Sequence, residues 1–266
     1  MNITAVIVVY NQSCAQSITC RRLTEMDTDL QVIVFDNSTG DYGNRAFCDQ
    51  RGWVFLGGQG NQGLSKAYNG CIDYLKEKSY DGYICLFDDD TEVTADYFRA
   101  LEKAIGEGGQ LFVPLIYADG RLLSPCRITP AHKAILFANE EAALGYAGKD
   151  MSAINSGMAM ALSLFDDYCY DEHIFLDGID HTHIRKLAER NIRPTILDVR
   201  FHHQFSGDEK PAIKSALTRF GLFARDYAYI FRNNKSHYWY LVGKRAFRLC
   251  AQYKTLSFLK ILWKNA

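Results

Sequence analysis

Short β-branched and aliphatic runs alternate with amphipathic stretches over the first hundred or so positions of the chain. Ile3 to Tyr10 reads ITAVIVVY, a run rich in β-branched residues of the kind that forms a central parallel strand. Asn11-Gln12-Ser13 ends it, and a helical stretch is expected to about Met26. Leu30 to Phe35 (LQVIVF) predicts a second strand that runs into the turn-forming Asp36-Asn37-Ser38-Thr39-Gly40, and Trp53 to Leu56 predicts a third. Leu64, Ala67, Tyr68, Cys71, Ile72 and Leu75 recur at three- and four-residue steps, which marks a helix with one buried face. Tyr83 to Phe87 is the fourth strand. Strands alternating with helices predict an α/β fold with a doubly wound, mostly parallel central sheet flanked by helices.

Beyond residue 110 the pattern loosens. Leu111 to Ile116, Met158 to Leu164 and Thr195 to Val199 read as strands, and Asp180 to Glu189 as a helix. The stretch between the first two, with Ser124-Pro125 and Thr129-Pro130, gives no clear period. No internal repeat, low-complexity segment or long linker interrupts the chain.

The fourth strand ends in three carboxylates, Asp88-Asp89-Asp90. Unpaired carboxylates are costly to bury, so they belong past the strand end, where open α/β sheets bind their ligands. Hard divalent cations take such oxygens and share them with substrate phosphates. Read alone, the triplet is either a cation site or a solvated acidic turn.

Gly58-Gln59-Gly60-Asn61-Gln62-Gly63 fits the dinucleotide-binding pattern GxGxxG. It follows the third strand instead of the first, and no lone acid ends a strand about 20 residues on, as that pattern requires. These glycines are expected instead to let backbone amides and Asn61 approach a phosphate or ribose.

Asp177 and Asp180 stand three apart at the start of a predicted helix, where the dipole favours an ionised carboxylate. Either could act as a general base, and either could simply cap the helix. His181 and His183 point apart at two-residue spacing and read as surface or supporting residues. His202 and His203, after the last strand, are candidates to complete a metal site.

Charge divides the chain sharply. Its net charge is -1, yet from Lys210 onward twelve Lys/Arg face a single acid, Asp226. Tyr238 to Trp263 carries one apolar stripe (Val242, Ala246, Leu249, Tyr253, Leu256, Leu259, Trp263) beside Lys244, Arg245, Arg248, Lys254, Lys260 and Lys264. A basic helix flanked by aromatics suits an anionic bilayer surface, and it suits equally a tail that packs on an acidic body. In the first case a chain ending near Asn234 should still fold. The eight cysteines form no CxxC pair and read as reduced thiols. With no run of apolar residues long enough to span a bilayer and no basic leader, a cytoplasmic protein is expected.

Taken in order, the motifs resemble family 2 glycosyltransferases of the GT-A fold. Val8-Val9-Tyr10-Asn11 is similar to the family's opening strand, and Asp36-Asn37-Ser38, the stretch Asn61 to Asn69 and Leu86-Phe87-Asp88-Asp89-Asp90 follow in the family's order. Asn155-Ser156-Gly157 is similar to the acceptor-side loop. Phe175-Leu176-Asp177-Gly178-Ile179-Asp180 and His203-Gln204-Phe205-Ser206-Gly207 are similar to segments of rhamnosyltransferase-like members. The resemblance covers roughly residues 1–210. It implies a GT-A catalytic domain over 1–209, with a nucleotide-sugar half to about 110 and an acceptor half after it, followed by a basic helical extension over 210–266.

The resemblance also implies inverting transfer from a dTDP- or UDP-linked sugar to a glycan or lipid-linked acceptor in surface polysaccharide assembly, with Mn²⁺ or Mg²⁺ and no nucleic acid. Asp90 would bind the metal directly, with Asp88 and either His203 or His202. Tyr10, Asp36, Asn37, Asn61, Gly63, Lys66, Asp88 and Asp89 would meet the donor. Ser156, Gly157 and Asp177 would lie toward the acceptor, and Asp180 would be the base, with Asp177 its rival. A nucleotidyltransferase would need a basic Gly-rich loop after the first strand, and Asn11-Gln12-Ser13-Cys14 is not one. A non-catalytic nucleotide- or sugar-binding module is the remaining alternative.

Overall fold

A computed structural model describes residues 2–26, 30–203 and 211–265, except for the side chain of His203. The strands are β1 (Ile3–Val9), β2 (Gln31–Asp36), β3 (Val54–Gly57), β4 (Tyr83–Asp88), β5 (Leu111–Ala118), β6 (Arg121–Ser124), β7 (Cys126–Ile128), β8 (Ala134–Leu136), β9 (Met151–Ser152), β10 (Met158–Ala161) and β11 (Thr195–His203). The helices are α1 (Ile18–Glu25), α2 (Asn44–Asp49), α3 (Leu64–Glu77), α4 (Ala95–Gly106), α5 (Glu140–Leu144), α6 (Ile179–Glu189), α7 (Ile213–Ile230), α8 (Lys235–Tyr238), α9 (Lys244–Tyr253) and α10 (Ser257–Asn265).

The main sheet runs β11-β5-β10-β4-β1-β2-β3, with β6 added beside β5. Only β10 and β6 are antiparallel to their neighbours. The expected fold class stands. Every residue of β1 is buried because alternate side chains serve two cores. Val6 and Val8 pack with Tyr68, Cys71 and Leu75 of α3, while Ile3, Ala5, Ile7 and Val9 pack with Tyr97 and Leu101 of α4 and Cys20 and Leu23 of α1.

The strand expected over Met158 to Leu164 is shorter. At Ala161 it pairs with Tyr83, the first residue of β4; Leu162 N makes one further bond, to the Gly82 carbonyl at 2.8 Å, and the chain closes into a 3-10 turn at Leu162–Phe165. The aperiodic stretch after β5 forms the β5–β6 hairpin and a small sheet ordered β8-β7-β9.

The C-terminal stripe is not one helix. A π-helical segment occupies Trp239–Gly243, and Lys254 in a left-handed conformation (φ 52) ends α9 so that α10 turns back. Val242, Ala246, Phe258 and Leu262 then bury with Phe220, Phe223 and Phe231 in a core of their own, and Tyr238 Oη donates to the Leu262 carbonyl at 2.9 Å. Among the described residues no helix is long and apolar enough to cross a membrane.

Candidate active site

The carboxyl ends of β1 and β4 lie side by side, with Val8 in register with Asp88. The Asp triplet turn is tied down through its backbone. Thr19 Oγ1 donates to the Asp88 carbonyl and Ser17 Oγ to that of Asp89, while Thr91 N donates back to Thr19 Oγ1 at 2.9 Å. The carboxylates themselves are left to line a cleft of about 700 Å³ together with Tyr10, Asn37, Asn61, Gly63, Phe175 and Leu176. Asp88 and Asp89 are half-buried and Asp90 is exposed. Desolvation, followed by repulsion from Asp90, Asp89 and Asp180, pushes the Asp88 carboxyl up to about 7. Asp89 is raised for the same leading reasons, burial and then Asp90.

Stored repulsion of this kind is what a cation would relieve, and the donors are the hard oxygens that Mn²⁺ and Mg²⁺ accept. The triplet therefore fits the expected metal. Among the described residues, though, no three His, Cys, Asp or Glu side chains are gathered closely enough to complete a shell. Further ligands would come from substrate phosphates and water. His202 is exposed and stacks on Tyr117 (ring centroids 5.7 Å), and it does not line the cleft. The backbone of His203 pairs with Ala118; its side chain and the motif residues Gln204 to Gly207 lie outside the described residues.

Loops after β2 and β3 form the opposite wall. Asp36 is buried, accepts from Ser38 N at 2.9 Å and Asn44 Nδ2 at 3.0 Å, and lines a smaller neighbouring cleft with Arg45, Phe55 and Gly57. Asn37 Oδ1 accepts from Gln62 N at 2.7 Å, which joins the two loops. Gly63 has φ +87 and sits against Phe175, whose ring would be 2.6 Å from any Cβ there. That glycine is thus required by a close approach within the protein, since Leu64 N also donates to the Phe175 carbonyl at 2.7 Å. Gly60, by contrast, faces open space. Lys66 projects from the exposed face of α3 and does not line the cleft.

On the acceptor side, Ser156 is fully buried and bonded to Thr91 Oγ1 at 2.7 Å, and Gly157 N donates to the Leu86 carbonyl at 2.7 Å. Both brace the end of β4 and are sealed from the cleft. Asp180 lies in the first turn of α6, 20% exposed, close enough to raise Asp88. Its Oδ1 accepts from His181 N at 2.8 Å. Asp177 is held by both Nη atoms of Arg219, one at 2.8 Å. His183 is not a surface residue. It is buried, stacked on Tyr170 (4.5 Å between centroids), and burial lowers its pKa to about 3. His181 Nδ1 meets Ser152 Oγ at 2.8 Å.

Sequence reasoning missed the third wall. Lys214, Ser215, Thr218, Arg219 and Leu222, all on α7, line the cleft opposite the triplet. The available signal was Asp226, the lone acid of the basic stretch. It is fully buried and accepts from the backbone N–H groups of Phe175, Leu176 and Asp177 at 3.1, 2.8 and 2.9 Å. A larger open cleft of about 1120 Å³ beside Tyr117, Leu136 and Glu140 contains none of the candidate donor-site, base or acceptor residues.

Residues 4–163 match the family described as Glycosyl transferase family 2. The chain belongs to that family. No curated protein sequence matches it. Among solved structures it is similar to S. aureus TarS 1–349, with a TM-score of 0.55, 13% identity and coverage of 98% of this chain and 81% of that one. TarS 1–349 in complex with UDP gives 0.54 at 14% identity over 85% of this chain and 65% of that one. Its complex with UDP-GlcNAc gives 0.53 at 14% identity over 85% and 66%. At such identities the likeness concerns the GT-A fold.

Proposed function

We propose that this protein is an inverting, metal-dependent glycosyltransferase that moves a sugar from a nucleotide-diphospho-sugar to a glycan or lipid-linked acceptor in surface polysaccharide assembly. The observation that carries the reading is the cleft itself. Clustered carboxylates at the end of β4 face two cations, Lys214 and Arg219, with the loop leading to Asp180 between them. A UDP-sugar is the preferred donor, because TarS is seen with UDP and with UDP-GlcNAc. The Phe175 to Asp180 segment keeps dTDP-rhamnose among the alternatives.

In this reading Asn37 and Asn61 orient the nucleotide, Tyr10 flanks it, and Asp88 and Asp90 hold Mn²⁺ or Mg²⁺. The cation supplies Lewis-acid stabilisation of the diphosphate. Asp180 accepts the acceptor hydroxyl proton as that oxygen attacks the anomeric carbon and the bond to the diphosphate breaks on the opposite face. Lys214 adds positive charge beside the leaving group. The catalytic domain would end near residue 209, and the extension would close its cleft through α7.

The extension also supports docking on the inner face of the cell membrane. Phe247 and Trp263 are 64% and 70% exposed. Lys244 and Arg248 lie beside the first, Lys260 and Lys264 beside the second, and no acid follows Asp226. Donor hydrolysis across a nucleotide-sugar panel, with and without Mn²⁺, tests the reading. Hydrolysis of one UDP- or dTDP-sugar that requires Mn²⁺ is expected; none with any donor would leave a non-catalytic module.

A further inference from the structure

Three arginines gather where the extension meets the cleft. Arg219 lines the cleft from α7, and Phe223 follows it by one helical turn on the same face. The Arg245 guanidinium, from α9, lies over the Phe223 ring at 4.0 Å. Arg248 follows Arg245 by one turn and is exposed. The counter-charge is thin. Arg219 is bound to Asp177, and among the described residues Arg245 and Arg248 have no carboxylate partner. Asp226, the only acid of the extension, is committed to three backbone N–H groups.

Arg245 carries the clearest sign of a missing ligand. Its Nε is buried without an acceptor among the described residues. Stacking on Phe223 uses the face of the guanidinium, so the ring does not satisfy the Nε–H in its edge. Burial, together with Arg219 and Arg248, lowers its pKa, and only Asp177 and Tyr227 oppose that. A partly buried guanidinium without an acceptor is costly, whereas a planar fork beside two more matches a phosphate oxyanion.

We propose that Arg219, Arg245 and Arg248 form an anion subsite that holds a phosphate group of the acceptor, next to the donor cleft. This rests on the transferase reading only in naming the acceptor as the ligand. The donor diphosphate belongs to the Asp triplet and its cation, so a second phosphate site beside the same cleft fits the other substrate. The phosphate could sit in a lipid-diphosphate carrier or in a soluble phosphorylated glycan.

Binding of inorganic pyrophosphate and of farnesyl diphosphate, measured calorimetrically in chelator on the full chain, tests the subsite with the cation-dependent donor site switched off. The parent protein is expected to bind both, and Arg245→Gln and Arg248→Gln should each weaken binding at least about tenfold. Arg248 is exposed, so its variant folds even if the Arg245 variant does not. Affinity for UDP in Mn²⁺ should stay within about twofold in both variants, a change small beside the loss of a charged hydrogen bond. Farnesyl diphosphate binding much more tightly than pyrophosphate indicates a lipid-borne phosphate; equal affinities indicate a soluble one. Absence of binding to either compound, or parent-like binding by both variants, overturns the subsite. Loss of UDP binding in the parent would instead defeat the transferase reading and leave the anion site standing.

Discussion

The buried carboxylate of Asp226, on α7, accepts the backbone N–H of Leu176 at 2.8 Å and so fixes the loop that leads to Asp180. With Phe175 N and Asp177 N also bonded to it, Asp226 is the contact through which the extension holds the candidate catalytic loop. Asp226→Ala would strand three backbone donors, each costing about 1–3 kcal/mol if buried. A clear fall in the melting temperature is expected, with Asp226→Asn in between because it keeps an acceptor oxygen. An unchanged melt in the Ala variant would mean that α7 does not hold this loop.

The same packing revises the expectation for a truncated chain. Ending the protein at Asn234 removes Tyr238, Val242, Ala246, Phe258 and Leu262 from a core shared with Phe220 and Phe223. Bared aromatics on α7 should then cause aggregation or a much lower melting temperature. A soluble, fully stable truncated protein would contradict the shared core.

Asp90→Ala removes an exposed carboxylate that no fold contact needs. Transfer or donor hydrolysis should drop by at least about 10²-fold, as for loss of a main electrostatic stabiliser. Because Asp88 is raised to about 7, cation binding must displace its proton. Mn²⁺ affinity in the parent should therefore tighten by about tenfold from mildly acidic to mildly basic pH. Full activity in chelator would refute the metal reading.

Arg219 distinguishes the two candidate bases. With Asp177 committed to Arg219, and Asp180 paired with no Lys or Arg among the described residues but only near His181 Nδ1 at 3.8 Å, Asp180→Asn should collapse kcat while UDP binding survives. Asp177→Asn should free Arg219 and mainly disturb stability or KM. The reverse pattern, with Asp177→Asn dead and Asp180→Asn active, would move the base by one turn.

His132 and His183 are both buried neutral, desolvation lowering each from 6.5 to about 3. The unfolded chain therefore takes up their protons first, and the stability they contribute is present above pH 6.5 and lost as pH falls toward 3. Asp88 acts in the opposite sense, holding a proton in the folded state up to about 7. From these three groups the unfolded state binds one more proton between pH 3.8 and 6.5. Stability should fall on acidification there by at most roughly 1.4 kcal/mol per pH unit, and by less where the raised Asp89 also holds its proton in the folded state. Urea melts from pH 7 to pH 5 check this, and a flat profile would contradict it.

Membrane docking is open to a charge test. Each Lys or Arg near an anionic surface contributes about 1 kcal/mol, and salt screens it. The full chain should sediment with phosphatidylglycerol vesicles at low salt and release at high salt. Phe247→Ser with Trp263→Ser should weaken that binding without loss of fold, since both side chains are largely exposed. Equal binding to neutral vesicles, or none to anionic ones, would refute it.

The central sheet was legible in the sequence because its strands are buried on both faces, so Ile3 to Val9 and Tyr83 to Phe87 are apolar at every position but Thr4. The position of the Asp triplet followed as well, since carboxylates must leave the sheet where the strand ends. The bonds that Asp36 and Ser156 make within the protein were not legible, because a polar residue in a motif does not show in sequence which neighbours it bonds. Only the tertiary structure pairs Asp36 with Asn44, and Ser156 with Thr91. The stripe from Tyr238 to Trp263 predicted a single helix because periodicity registers which residues share a face and not where the chain reverses, as it does at Lys254. The contribution of α7 was hidden for a related reason. Arg219 and Asp226 lie 42 and 50 residues from Asp177 and Leu176, the partners that give them meaning. Such pairings depend on how helices pack across the sheet, which local sequence does not encode.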